Sequence, residues 1–273
     1  MPDISTLLTR LQNAIPIIAN LSFIPSVFGY DENKPDEIAV IGRTGSYVYW
    51  FNSYNLIYIR NVTIHNTSLS FALHNNSVLT AIDGTPAIKI YDTQLGSLIV
   101  NINHTILGIL RKYIFINNDQ NLIMTAQSNQ SIAIFNIDSP INYTFQQAIP
   151  VPFDVHGLAT VNDTFLYVSS WNTLRIAAYI YENSTWKYQA FGNNTINGSG
   201  SHITIDDCGR VWQIVRPFGL RIYDQSGIII ANWNMSLGSG SIYDLLFLTN
   251  YILLVTRREN QQIIRYDPQV TCP

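Results

Sequence analysis

The sequence is poor in charge. Lys, Arg, Asp and Glu make up 12% of its 273 residues, about half the ~25% of an ordinary soluble domain. The charges nearly balance, with a net of −3 and a pI near 5.9. A nucleic-acid binder would carry a basic face and usually a pI above ~9, so that class is excluded. Two cysteines are too few for a disulfide-dense miniprotein, and without a Cys-x-x-Cys pair there is no zinc-ribbon pattern. No apolar run approaches the ~18–20 residues of a membrane-spanning helix. GxSxG, HExxH, a dinucleotide-binding glycine fingerprint and an EF-hand loop are all missing. Yet 47% of the residues are hydrophobic, which excludes a disordered chain, and the length is ample for a buried core.

Solubility must come from elsewhere, and asparagine supplies it. Of 27 Asn residues, twelve stand in Asn-X-Ser/Thr triplets with X not Pro: Asn20, Asn61, Asn66, Asn75, Asn103, Asn129, Asn142, Asn162, Asn183, Asn193, Asn197 and Asn234. Chance gives roughly four in this composition, so the excess is about threefold. Twelve N-glycans along a secreted chain would provide the missing hydration. An Asn-rich compositional bias is the alternative source. Residues 1–20 do not read as a signal peptide, because Asp3, Arg10 and Pro16 break the basic start and continuous apolar core that one needs. The expectation is an extracellular protein in mature or incomplete form. Ser5–Asn13 is the helix candidate.

One pattern recurs. Alternating apolar residues end in an aromatic, often followed by Asp or Asn, at Phe51, Tyr91, Phe135, Tyr179, Tyr223 and Tyr266, with spacings of 40, 44, 44, 44 and 43. Each unit reads as four short strands, rich in β-branched and aromatic residues and punctuated by Gly or polar turns. The fifth reads SHITIDD, RVWQIV, GLRIYDQ and GIIIANW. Four strands per ~40–45 residues, repeated radially, predict an all-β fold, a β-propeller, here with six blades of four antiparallel strands in a single domain over residues 1–273. Too few residues follow Tyr266 for a last outer strand. The N-terminal segment, residues 1–36, is expected to supply it from around 11–22 and so close the ring.

Cys208 falls in the turn between the first and second strands of the fifth blade, and Cys272 just past the third strand of the sixth. These positions share a face in adjacent blades, which predicts a Cys208–Cys272 disulfide worth ~4 kcal/mol in the chain-entropy model. Asp206 and Asp207 sit at the same turn, and one is expected to cap it.

The segments HGLATVNDTFLYVSSWNTLRIAAY and SHITIDDCGRVWQIVRPFGLRIYDQSG resemble the NHL-repeat and SMP-30/gluconolactonase-like group of six-bladed propellers. The resemblance extends as a pattern over residues 37–268. In lactonase-type relatives it implies a divalent cation over the central channel, held partly by an Asn in an Asn-Gly-Leu motif and an Asp in an Asp-Gly-Met-like motif. The matching positions here are His156 and Ser201, so two expected oxygen ligands are absent. In the amidating lyases the resemblance implies a His-ligated zinc instead.

Four histidines, His65, His104, His156 and His202, fall in connections leading into first strands, on the expected rim of a central funnel. They form a candidate Zn²⁺ or Ca²⁺ site, the alternative being plain rim polarity with no cofactor. Asp154 could orient His156. Asp154, His156, Ser201, His202, Tyr243 and Asp244 together make the candidate ligand-binding rim. The two GSGS stretches, 198–201 and 238–241, lack the following helix and Lys of a phosphate loop and read as tight turns. Trp171 is the better of Trp171 and Trp212 for exposure at a loop. These observations predict a secreted, glycosylated, monomeric module that binds a protein, peptide or glycan through its funnel face without catalysis. The alternatives are a metal-dependent hydrolase or lyase and a cytosolic NHL-type scaffold.

Overall fold

The computed structural model describes residues 3–270 apart from 32, 44–45, 65–67, 75, 83–84, 109–111, 117–120, 127–128, 163, 184, 193–198, 217–218 and 235–241, with backbone alone at 68–69, 81–82, 112–116, 121–126, 161–162, 199 and 201. It opens with α1 (Ile4–Asn13), whose N-cap Asp3 accepts hydrogen bonds from Thr6 N and from the hydroxyls of Ser5 and Thr6. The carboxyl of Asp3 is held well below the usual carboxylate range by these donors. Leu7 and Leu11, four apart and so on one helix face, are fully buried.

The strands then follow in order: β1 (Ile17–Asn20), β2 (Pro25–Tyr30), β3 (Glu37–Gly42), β4 (Tyr47–Asn52), β5 (Tyr58–Thr63), β6 (Ser68–His74), β7 (Ser77–Ile82), β8 (Ala87–Asp92), β9 (Leu98–Asn103), β10 (Lys112–Ile116), β11 (Asn121–Ala126), β12 (Ser131–Ser139), β13 (Asn142–Pro150), β14 (Val155–Asn162), β15 (Phe165–Ser170), β16 (Ile176–Glu182), β17 (Thr185–Phe191), β18 (Ser199–Ile205), β19 (Val211–Arg216), β20 (Gly219–Tyr223), β21 (Ile229–Trp233), β22 (Ile242–Leu248), β23 (Ile252–Arg257) and β24 (Gln262–Tyr266). The fold is all-β, with four-stranded antiparallel sheets in a propeller arrangement.

Two compact units divide the chain, Pro25–Leu158 and Ala159–Pro273 with Met1–Ile24. The first unit holds the sheets β2–β5, β6–β9 and β10–β13; β14–β17 and β18–β21 follow. Each of these five is a blade built from one uninterrupted stretch of four strands, five where the repeat predicts six. The physical reason lies at the chain ends. The remaining sheet is composite, ordered β1-β24-β23-β22, with the first strand of the chain beside the last. The segment expected to provide that fourth strand does so only over Ile17–Asn20, in register Ile17↔Arg265 to Asn20↔Gln262. Residues before it are helix, and β2 begins inside the stretch 1–36 that the sequence assigns to this role.

The recurrent aromatics lie on third strands and are all buried. Each pairs with an apolar residue at the start of the second strand: Ile38↔Phe51, Val78↔Tyr91, Leu122↔Phe135, Leu166↔Tyr179, Val211↔Tyr223 and Leu253↔Tyr266. Phe51, Phe135 and Tyr179 also meet an aromatic of the fourth strand edge-on, Tyr58, Phe145 and Tyr188. In the unit holding both termini, Tyr223 and Tyr266 reach the preceding sheet instead, against Phe191 and Trp233 at 5.6 and 5.8 Å. The Asp or Asn after the aromatic builds the next turn. Asn52 Oδ1 accepts from Tyr54 N and Asn55 N, Asp92 Oδ1 from Gln94 N and Leu95 N, and Asp224 Oδ1 from Ser226 N and Ile228 N. This is the Asx-turn preference that the motif encodes.

Candidate functional site

In the unit formed by Met1–Ile24 and Ala159–Pro273, six side chains converge where first strands begin and second strands end. His202 stands on β18, Tyr243 and Asp244 on β22. Trp171 follows β15, Arg216 ends β19, and Arg258 follows β23. Both first strands carry a β-bulge there, between Gly200 and Ile203 and between Ile242 and Asp244. A bulge re-aims side chains locally, and these two turn His202 toward Asp244. Nδ1 of His202 lies 2.7 Å from Asp244 Oδ1, with the two side chains 1% and 4% exposed. Asp244 N donates to Thr256 Oγ1 at 3.0 Å. The His202 ring lies 5.0 Å from that of Tyr243.

Above this buried floor are two guanidinium groups. Arg258 Cζ lies 2.9 Å and Arg216 Cζ 5.7 Å from the Tyr243 ring centre, and Arg216 also covers Trp171 at 4.2 Å. Trp171, Arg216 and Arg258 are half-buried. Cation–π stacking fixes the guanidinium planes, and planar guanidinium groups held in this way are of the type that recognises a carboxylate or phosphate.

The loop bearing Trp171 is fastened from below. Gly200 N donates to Thr173 O at 3.1 Å. A Cβ at Gly200 would stand 2.7 Å from that oxygen, so the glycine permits the approach. Gln213 Nε2 donates to Leu174 O at 3.4 Å, and Tyr223 Oη donates to Gln213 Oε1 at 2.9 Å. The glycine of the first GSGS stretch thus serves close backbone packing within a strand; the second stretch lies outside the described residues.

Of the predicted rim, the structure brings His202, Tyr243 and Asp244 together; Ser201 is next to them in β18, described as backbone. His156 (buried, on β14) and Asp154 (half-buried) belong to the Pro25–Leu158 unit. His65 lies outside the described residues. His104 is a capping residue. It follows the fourth strand β9, accepts from Ile106 N through Nδ1 at 3.2 Å, and stacks on Phe145 at 4.5 Å, because the turn it caps folds back onto the sheet. Among the described residues no three of His, Cys, Asp and Glu assemble as metal donors. Trp171 is expected to be exposed at a loop and is instead half-buried after β15, under Arg216; Arg216 and Arg258 have no local sequence signal that distinguishes them from other strand-end arginines.

The expected Cys208–Cys272 bridge is not present among the described residues. Cys272 lies outside them, and Cys208 is buried with Sγ 2.5 Å from Tyr251 Oη. Asp206 caps its turn as anticipated. Its carboxylate accepts from Cys208 N, Arg210 N, Arg210 Nε and Trp212 Nε1 at 3.0, 3.0, 2.6 and 2.9 Å. Among the sequon asparagines, Asn20, Asn61, Asn103, Asn129, Asn142, Asn183 and Asn234 are exposed. Asn162 is described as backbone, and Asn66, Asn75, Asn193 and Asn197 lie outside the described residues.

A shallow concavity lies in the Pro25–Leu158 unit and is lined by Lys34, Glu37, Trp50, Arg60 and His74 among others. Arg60 makes a two-pronged ion pair with Glu37, 2.8 Å at each contact, and covers Trp50 at 4.8 Å.

No family model matches this chain, and no curated protein does. Solved structures do. A gluconolactonase from Xanthomonas campestris superposes with a TM-score of 0.71 at 12% identity, over 96% of this chain and 92% of that one. These structures are β-propellers, and so is this fold. A luciferin-regenerating enzyme gives 0.66 at 12% identity, over 93% and 95%. The WD40 β-propeller domain of Doa1 gives 0.64 at 12%, over 89% and 78%. At such identity the likeness extends to the fold, and function is argued from the site.

Proposed function

We propose that this chain is a secreted, N-glycosylated β-propeller that binds an anionic ligand, without catalysis, at the rim formed by Trp171, His202, Arg216, Tyr243, Asp244 and Arg258. One observation carries the reading: two guanidinium groups are stacked on Tyr243 and Trp171 over the buried His202–Asp244 pair. Fixed arginine forks bind carboxylates and phosphates. The exposure of every sequon asparagine whose side chain is described supports glycosylation. The reading includes a closed ring, with the β1–β24 pairing as its fastening.

The test is a calorimetric titration of gluconate, citrate and inorganic phosphate, with glucose as a neutral control. Saturable binding of an anion that Arg216→Gln and Arg258→Gln each weaken supports the reading. Equal binding by both variants, or none of the anions bound, defeats it.

The second reading, a metal-dependent hydrolase or lyase, has one observation in its favour. Asp244 holds Nδ1 of His202 in the carboxylate–histidine arrangement common around bound metals. Stoichiometric zinc or calcium in the purified protein, lost on His202→Ala, would favour it over the first.

A further inference from the structure

Every one of the six four-stranded sheets ends in an edge strand, its fourth, and each of those strands has a glycosylation triplet within it or directly at one end. In the Pro25–Leu158 unit, Asn61 lies in β5, Asn103 closes β9 and Asn142 opens β13. In the other unit, Asn183 stands in the turn into β17, Asn234 directly follows β21, and Asn20 closes β1. All six side chains are exposed. The remaining triplets, at Asn66, Asn75, Asn129, Asn162, Asn193 and Asn197, fall between strands or on the first strand β14.

The same strands carry the chain's exposed apolar surface. Among the described residues, the exposed large hydrophobic side chains lie on these edge strands or in the segments leading into them, Tyr47 and Tyr181 excepted. Ile18, Ile57, Tyr58, Leu98, Tyr188 and Ile228 are between 47% and 63% exposed. Charge is missing from the same places. β1, β9, β13 and β21 contain no Asp, Glu, Lys or Arg. β5 and β17 have one cation each, Arg60 and Lys187, and each is drawn into an ion pair, with Glu37 and Glu182. An uncharged apolar edge is a template for pairing with another chain, and soluble proteins ordinarily guard such edges with lysine, proline or a covering segment.

We propose that N-glycans at Asn20, Asn61, Asn103, Asn142, Asn183 and Asn234 are the edge guards of this fold. A hydrated oligosaccharide at each outer strand holds a second copy beyond the ~4.8 Å that strand pairing requires. The proposal rests on the glycoprotein reading above, and the experiment separates the two.

The full chain is produced in a eukaryotic secretory host with high-mannose glycans, and occupancy is read by glycopeptide mass spectrometry. The folded protein is then trimmed with endoglycosidase, and its molar mass is followed by light scattering. Two variants accompany it: Asn→Gln at the six edge positions and Asn→Gln at the other six. The expected result is occupied edge sites, a monomer that becomes dimeric or larger on trimming or in the edge variant, and a monomeric second variant. Occupied edge sites with a trimmed protein that stays monomeric overturn the proposal, as does equal association of the second variant. A chain that carries no glycan in that host overturns the glycoprotein reading itself. Should the edge variant fail to be secreted, the trimmed protein decides alone. Combined Ile18→Lys, Ile57→Lys, Leu98→Lys and Ile228→Lys should then keep the trimmed protein monomeric, and failure of that rescue also counts against edge pairing.

Discussion

His202 on β18 and Asp244 on β22 join the first strands of two successive sheets through a buried 2.7 Å contact. Removing the carboxylate leaves a buried imidazole nitrogen without its partner. Asp244→Ala is expected to cost about 1–3 kcal/mol, the range for a buried polar group left unsatisfied. Urea denaturation at neutral pH measures it. A loss below a few tenths of a kcal/mol would mean that the contact contributes nothing.

Asp206 is the hub of the β18–β19 turn, accepting four hydrogen bonds while only 4% exposed. Its removal would take the carboxylate from the buried Arg210 guanidinium. Asp206→Ala should therefore cost about 3–5 kcal/mol, as when one partner of a buried pair is deleted. Asp206→Asn should recover part of that. Paired thermal melts decide, and equal midpoints for Asp206→Ala and the parent chain would refute the assignment.

Tyr223 separates ring packing from hydroxyl function. Tyr223→Ala removes a ring packed on Phe191 and should cost about 3–5 kcal/mol. Tyr223→Phe keeps the ring and removes the hydroxyl with its bond to Gln213 Oε1, a loss of about 1 kcal/mol. Since Gln213 also holds Leu174 O, Tyr223→Phe should loosen the Trp171 loop, visible as a change in tryptophan fluorescence anisotropy.

The concavity of the Pro25–Leu158 unit predicts a pH dependence. Burial pushes His74 below its ordinary value, outweighing the nearby Asp31 charge. The unfolded chain therefore binds a proton first on acidification, and stability falls as pH drops through the normal histidine range near 6.5. The hydrogen bonds from Arg60 hold the Glu37 carboxyl below the usual glutamate range. Its contribution is present above ~4.3 and lost as pH falls further. The pair is partly exposed, so Glu37→Gln should cost only about 0.5 kcal/mol. His74→Asn should flatten the upper part of the curve and leave the lower part in place. Denaturation midpoints from pH 7.5 to 3.5 test both signs.

The four-stranded repeat, its aromatic anchors and the turns after them were legible because each is local. Strand alternation has a period of two residues, and an aromatic followed by Asp or Asn writes both the buried ring and the turn that follows it. The helix at Ile4–Asn13 and the Asp206 cap were readable for the same reason. Blade bookkeeping at the chain ends was only partly readable, since the composite sheet depends on β1 reaching β24 across nearly the whole sequence. His202, Tyr243 and Asp244 could be picked out by their place before a first strand, but so could His104, which the fold turns onto Phe145 instead. What tertiary structure alone decided is the site. A bulge in each of two first strands rotates His202 toward Asp244, and strand ends far apart in sequence bring Arg216 and Arg258 onto Tyr243. Bulges and cross-sheet stacking arise from long-range packing, for which a single sequence has no periodic signature.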